Sequence, residues 1–195
     1  MTITDKPIAL VIGAGDHLGS AIARRFAQEG FHLVITRRRG DLDGLSAEIS
    51  ALGSSATAFH SDARDEIQVC ELIDQVESKL GPIRVAVFNV GGNVRYDICE
   101  TSTRVYRKVW EMCALAGFLV GREVAKKMRS RNEGTILFTG ASASLRGGRG
   151  FAAFAGGKHA LKALAQSMAR ELGPQGIHVA HVVVDGLIRN EATAE

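Results

Sequence analysis

Lys158 stands four residues after Phe154 in the run Phe151-Ala152-Ala153-Phe154-Ala155-Gly156-Gly157-Lys158. Side chains at i and i+4 share one face of a helix. A tyrosine at position 154 would be a strong proton donor, because a neighbouring ammonium favours the phenolate and lowers the phenol pKa. Phe154 has no proton to give. What the chain does therefore depends on whether a site built around such a pair works without its acid.

A second group of residues has the chemistry of phosphate binding. The turn Gly13-Ala14-Gly15-Asp16-His17-Leu18-Gly19 follows an apolar strand and opens a helix. Glycines there let the backbone turn tightly and approach a pyrophosphate, which sits at the positive N-terminus of the helix. Strand, turn and helix near the chain start are the context such a pattern requires; a tight turn without a ligand is the plain alternative. Arg37-Arg38-Arg39 follows the second strand. A carboxylate there would take the ribose hydroxyls of NAD, whereas arginine suits the extra phosphate of NADP. Runs of like charge are often solvated loops, but the position favours NADP(H) over NAD(H). Asp62, next to Ala63, follows the third strand, where it either binds an adenine amino group or caps a turn. Asn89-Val90-Gly91-Gly92 ends the fourth strand, at the carboxyl edge where open α/β sheets hold ligands. The expected cofactor contacts at this edge are thus Gly13, Gly15, Asp16, His17, Leu18, Gly19, Arg37, Arg38, Asp62, Ala63, Asn89, Val90 and Gly91.

The elements that must position these residues are legible as alternating patterns. Apolar runs predict strands at Ile8–Ile12, Phe31–Thr36, Ala56–His60, Val85–Val90, Thr135–Thr139 and His178–Val184. Helical spacing predicts Leu18–Glu29, Asp43–Leu52, Glu66–Leu80 and two long helices, Arg104–Arg129 and Phe151–Leu172. Several of these helices stop at glycines, among them Gly30, Gly53, Gly81 and Gly173. Strands alternating with helices imply parallel strands with right-handed crossovers, and near-continuous apolar strands imply a sheet covered on both faces. The expected architecture is α/β, a doubly wound parallel sheet of the Rossmann type, in one domain over residues 1–195.

Composition excludes several classes. A net charge of +3 over 195 residues is too weak to argue for nucleic acid. No apolar run approaches membrane-spanning length, and the polar start Met1–Lys6 is not a signal peptide. Cys70, Cys99 and Cys113 form no CxxC pair, which suggests reduced thiols in the cytoplasm. The six histidines are scattered, and His178 and His181 lie three apart in a strand, on opposite faces, so no metal site is expected.

Together these segments resemble the short-chain dehydrogenase/reductase family over nearly the whole chain. Gly13 and Gly19 match its Gly-xxx-Gly-x-Gly turn, with His17 in the middle glycine's place. Phe88-Asn89-Val90-Gly91 resembles its Asn-Asn-Ala-Gly, and Asp62 falls on its adenine-binding aspartate. The resemblance implies a nicotinamide dinucleotide and hydride transfer at a carbonyl carbon of an unidentified small molecule. It also implies a catalytic tetrad that this chain retains only at Lys158, the residue that binds the nicotinamide ribose. Phe154 stands for the tyrosine, Ala141 for the serine and Cys113 for the asparagine. Ser142, one residue beyond, could replace the serine only if the strand bulges, because a one-residue slip turns a side chain to the other face. In the enoyl-reductase branch the tyrosine lies seven residues before the lysine, and that position is Phe151. Tyr96 and Tyr106 lie on other segments. Asp185-Gly186 replaces the family's Pro-Gly. Arg146 and Arg149, in a glycine-rich loop, either meet an anionic ligand or stay solvated.

The family continues past the sixth strand through a helical lid to a seventh strand. Here only Leu187–Glu195 follow, so the expected sheet lacks that strand, as a natural short form or as a fragment. Three functions remain open: an NADP(H)-dependent oxidoreductase with weakened carbonyl chemistry, a non-enzymatic cofactor-binding or scaffolding protein, and a reductase of an activated double bond. The long helices resemble those that pair in family dimers and tetramers, so a homo-oligomer is expected.

Overall fold

Apolar runs of five to eight residues become the strands of one parallel sheet: β1 (Ile8–Ile12), β2 (His32–Arg37), β3 (Ser55–His60), β4 (Ile83–Phe88), β5 (Gly134–Ala141) and β6 (Ile177–Val184). The helices are α1 (Leu18–Gln28), α2 (Asp43–Ala51), α3 (Glu66–Lys79), α4 (Thr103–Trp110), α5 (Ala116–Arg129) and α6 (Ala152–Leu172). This computed structural model describes residues 5–186 and 188. The polar start and the short tail expected after β6 fall largely outside the described residues.

The strand order is β3-β2-β1-β4-β5-β6, and every neighbouring pair is parallel. The order reverses between β1 and β4, which opens a crevice at the carboxyl ends of these strands. Strand alternation divides the core. Ile8, Leu10 and Ile12 pack with Phe88, Phe138, Val120 and Leu161 on the α3/α5/α6 face. Ala9 and Val11 pack with Ala23, Leu33, Ile35 and Ile49 on the α1/α2 face.

The fourth element differs from the sequence expectation. The single helix expected over Arg104–Arg129 is α4 and α5 joined through a wider π-turn at Glu111–Leu115. One residue is accommodated there without breaking the helix, as in π-bulges generally. Cys113 lies inside this turn. Strand β4 begins and ends two residues earlier than expected, so Asn89 and Val90 belong to the loop at its carboxyl end.

His32, one of the scattered histidines, is satisfied within the sheet. Its ring nitrogens lie 2.7 Å from Ser55 Oγ and 3.0 Å from Thr57 Oγ1 on β3. Burial pushes its pKa down. Among the described residues no cluster of three histidine, cysteine, aspartate or glutamate side chains could hold a metal ion, and no helix is long and apolar enough to cross a membrane.

Candidate cofactor and active site

The glycine turn is fixed by backbone packing. Gly13 has φ +88°, and a Cβ on it would lie 2.7 Å from Asn89 O. A Cβ on Gly19 would collide with Gly13 O at 2.2 Å. Asn89 closes the arrangement: its Nδ2 donates to Gly13 O at 3.0 Å and its N–H to Ile12 O at 2.8 Å. Gly15, by contrast, has open space where its Cβ would be. The turn thus presents a bare backbone and the N-terminus of α1 to the crevice, which is the cradle a pyrophosphate needs. His17 takes the N-cap position, makes no side-chain cap and is exposed at the edge of the crevice.

A cleft of about 860 Å³ runs from this turn to α6. It brings together most of the expected residues: Gly13, Gly15, Asp16, His17, Leu18 and Gly19; Asn89, Val90 and Gly91; and Ala141, Ser142, Phe154 and Lys158. Arg37, Arg38, Asp62 and Ala63 do not line it. Arg37 lines an adjoining hollow of about 420 Å³ with Asp16. Ala63 is buried in the core. Tyr96 and Tyr106 stay outside the cleft, and a Cβ on Gly156 of α6 would sit 3.1 Å from the Tyr106 hydroxyl.

At the far end, Lys158 is only 4 % exposed. Its Nζ donates to Thr139 O at 2.8 Å and to Val90 O at 3.3 Å. Burial pushes its pKa down, and the nearby Cys113 opposes the shift. The Phe154 ring lies 5.8 Å from Nζ, at the outer reach of a cation–π contact. An apolar ring therefore faces the lysine where a hydroxyl would be needed.

The other tetrad positions offer no replacement acid. Ala141 is the last residue of β5 and Ser142 opens the next 3-10 turn at the cleft wall. Ser144 is fully buried, and its Oγ accepts the Ala141 N–H at 3.1 Å. That serine and Thr139, whose carbonyl holds Lys158, were not singled out in the sequence; neither belongs to a spacing pattern. Cys113 is fully buried, and a Cβ on Gly157 would lie 2.8 Å from its own Cβ. Desolvation pushes its thiol further up, so it stays neutral at pH 7 and packs between α6 and the π-turn.

At the adenine end, Asp62 is engaged on both oxygens by Arg64: Oδ1 accepts from Nε at 2.9 Å and Oδ2 from Nη2 at 2.5 Å. These charge-assisted bonds hold its carboxyl at about 2.

This fold and this crevice define a dinucleotide-binding α/β protein of the doubly wound class. The family model for short chain dehydrogenases matches residues 7–194. The chain belongs to the short-chain dehydrogenase/reductase family, whose fold holds a nicotinamide dinucleotide. A short-chain dehydrogenase from Rhodopseudomonas palustris superposes with a TM-score of 0.87 at 52 % identity, over 91 % of this chain and 84 % of that one. NAD+-bound xylitol dehydrogenase gives a TM-score of 0.89 at 26 % identity, over 92 % of this chain and 70 % of that one. Zerumbone synthase of Zingiber zerumbet is 30 % identical over 174 residues, 88 % of this chain but 65 % of its own length. The chain thus spans less than two thirds of that curated relative.

Proposed function

We propose that this chain is an NADP(H)-binding oxidoreductase whose ordinary carbonyl and alcohol chemistry is slow. Bound in the cleft, a nicotinamide dinucleotide supplies or accepts hydride. Gly13, Gly15 and Gly19 would face its pyrophosphate, and Arg37 and Arg38 its adenosine ribose. Lys158 would meet its second ribose after exchanging a backbone carbonyl for a ribose hydroxyl. The carrying observation is the Phe154 ring beside Lys158. No tyrosine is among the described residues that line the cleft, and water is the proton source in this reading. Positioned acids are commonly worth about 10²–10⁴-fold in rate, which sets the expected deficit. The test is calorimetric titration with NADPH and NADH, followed by a carbonyl-substrate screen with Phe154→Tyr beside the wild type. Tight binding with slow turnover supports the reading; rapid turnover by the wild-type chain would sink it.

A second reading is a protein that holds the cofactor without turning anything over. Ala141, Cys113 and Phe154 favour it, since three of four reacting positions carry no suitable group. It predicts cofactor binding with no gain from Phe154→Tyr. We also propose self-association along α4 and α5, where Tyr106, Trp110 and Phe118 are 46, 42 and 40 % exposed.

A further inference from the structure

We infer that Asp16, on the glycine turn, sets the cofactor preference of this site by holding Arg37 away from a ribose phosphate. The inference rests on the reading that the cleft takes a nicotinamide dinucleotide. Arg37 is the last residue of β2, and its Nη1 donates to Asp16 Oδ1 at 2.8 Å and to Asp41 O at 3.1 Å. The loop is shaped around this folded-back side chain: Gly40 has φ +91°, and a Cβ there would lie 2.7 Å from the Arg37 guanidinium. The Arg37 side chain is 23 % exposed and that of Asp16 75 %, so the carboxylate stands on the solvent side of the pair. A second arginine in the same hollow, Arg24, is likewise taken by a carboxylate, Glu48, at 2.5 Å.

Arg37 and Arg24 are therefore already neutralised by carboxylate, whereas Arg38 reaches Asp62 only at 3.8 Å. A phosphate monoester carries about −1.5 to −2 at neutral pH. Brought to Arg37, it must displace Asp16 and then sit beside the displaced charge. A ribose hydroxyl faces no such conflict, because it can donate to the carboxylate. Specificity built from a repulsive group in this way is a difference between two ligands rather than a gain for one. Arginine at the end of β2 and aspartate on the turn thus oppose each other, and the wild-type chain should separate NADPH from NADH only weakly.

The experiment is calorimetric titration of wild-type, Asp16→Asn, Arg37→Ala and doubly substituted chains with NADPH, NADH and 2′,5′-ADP. Asn keeps the size of Asp and removes its charge. The expected result is a rise of about tenfold or more in the NADPH-to-NADH affinity ratio for Asp16→Asn, the scale of a freed charge-assisted hydrogen bond. 2′,5′-ADP should follow NADPH, and NADH should bind no tighter. Arg37→Ala should remove the gain in the double variant. An unchanged ratio in Asp16→Asn, or a gain that survives Arg37→Ala, overturns the inference while leaving cofactor binding intact. Binding of neither dinucleotide by any of the four chains, each folded by circular dichroism, would overturn the reading of the cleft and this inference with it.

Discussion

Phe154 and Lys158 carry the argument at the level of single residues. A buried ammonium held by two carbonyl oxygens can orient a ligand but cannot stand in for a phenol. Phe154→Tyr should place a hydroxyl on the face already shared with Lys158. We expect kcat/KM for a small activated ketone to rise by about 10²–10⁴-fold over the wild type, measured by NADPH oxidation. No gain would favour the non-enzymatic reading. Lys158 also has a pH signature. Because burial lowers its pKa in the folded chain, the native state binds fewer protons than the unfolded one between that lowered value and 10.5. Wild-type stability should therefore gain on Lys158→Met as pH rises through this window, and the two should run parallel below it, as read by urea unfolding at a series of pH values. Asp62 works in the opposite direction. Its folded pKa of about 2, set first by the Arg64 hydrogen bond, lies below the ordinary 3.8. The stability it contributes is complete above 3.8 and is lost as pH falls through 2. Arg64→Ala should weaken the fold at pH 6, with the deficit vanishing near pH 2; a constant deficit across that range would exclude the ion pair as its source.

Strands and helices were the most legible level of this chain. The central strands β1, β2 and β4 coincide with apolar runs, because strands covered on both faces have to be apolar throughout, whereas the edge strand β3 is half exposed and mixes Ser55, Thr57 and His60 with its apolar residues. The glycine turn was legible because its glycines are demanded by backbone contacts at Gly13 and Gly19. Contacts between elements were not legible. The π-turn at Glu111–Leu115 leaves the apolar pattern intact, so periodicity read it as plain helix. The Asp16–Arg37 pair joins the glycine turn to the end of β2, 21 residues apart, and no local rule connects them. Gly140 and His181 are a further case. They lie on neighbouring strands, with the imidazole packed where a Gly140 Cβ would be, 2.1 Å from its Cε1. The His181 Nε2 is buried without a hydrogen-bond partner, and desolvation lowers its pKa. Gly140→Ala should cost about 1–3 kcal/mol, the usual penalty for overpacking. His181→Ala should recover much of that loss in a double-mutant cycle. Additive effects of the two substitutions would show that ring and glycine are not coupled.

At the scale of the whole molecule, helices α4 and α5 carry three partly exposed aromatic side chains among the described residues. Aromatic residues make up only 6 % of the chain, yet three of the large ones stand half out of the surface along α4 and α5. Tyr106 and Trp110 lie one helical turn apart, and Phe118 follows beyond the π-turn with Arg122 5.0 Å above its ring. Exposed aromatic side chains along one pair of helices are the kind of group that carries much of the energy of protein contacts. The α6 helix packs against α4 and the π-turn, and it carries both Phe154 and Lys158, so a contact made on α4 would brace the Lys158 end of the cleft. Trp110 is the chain's sole tryptophan, which makes the proposal directly readable. On association its emission should shift to the blue as its 42 % exposed side chain loses water. Dilution through the micromolar range should reverse that shift in step with sedimentation from dimer or tetramer to monomer. Trp110→Glu should sediment as a monomer at every concentration, because a charge in the centre of such a contact would be buried unpaired. A wild-type chain that sediments as a monomer throughout, with emission independent of concentration, would refute self-association and leave the aromatic surface to another partner.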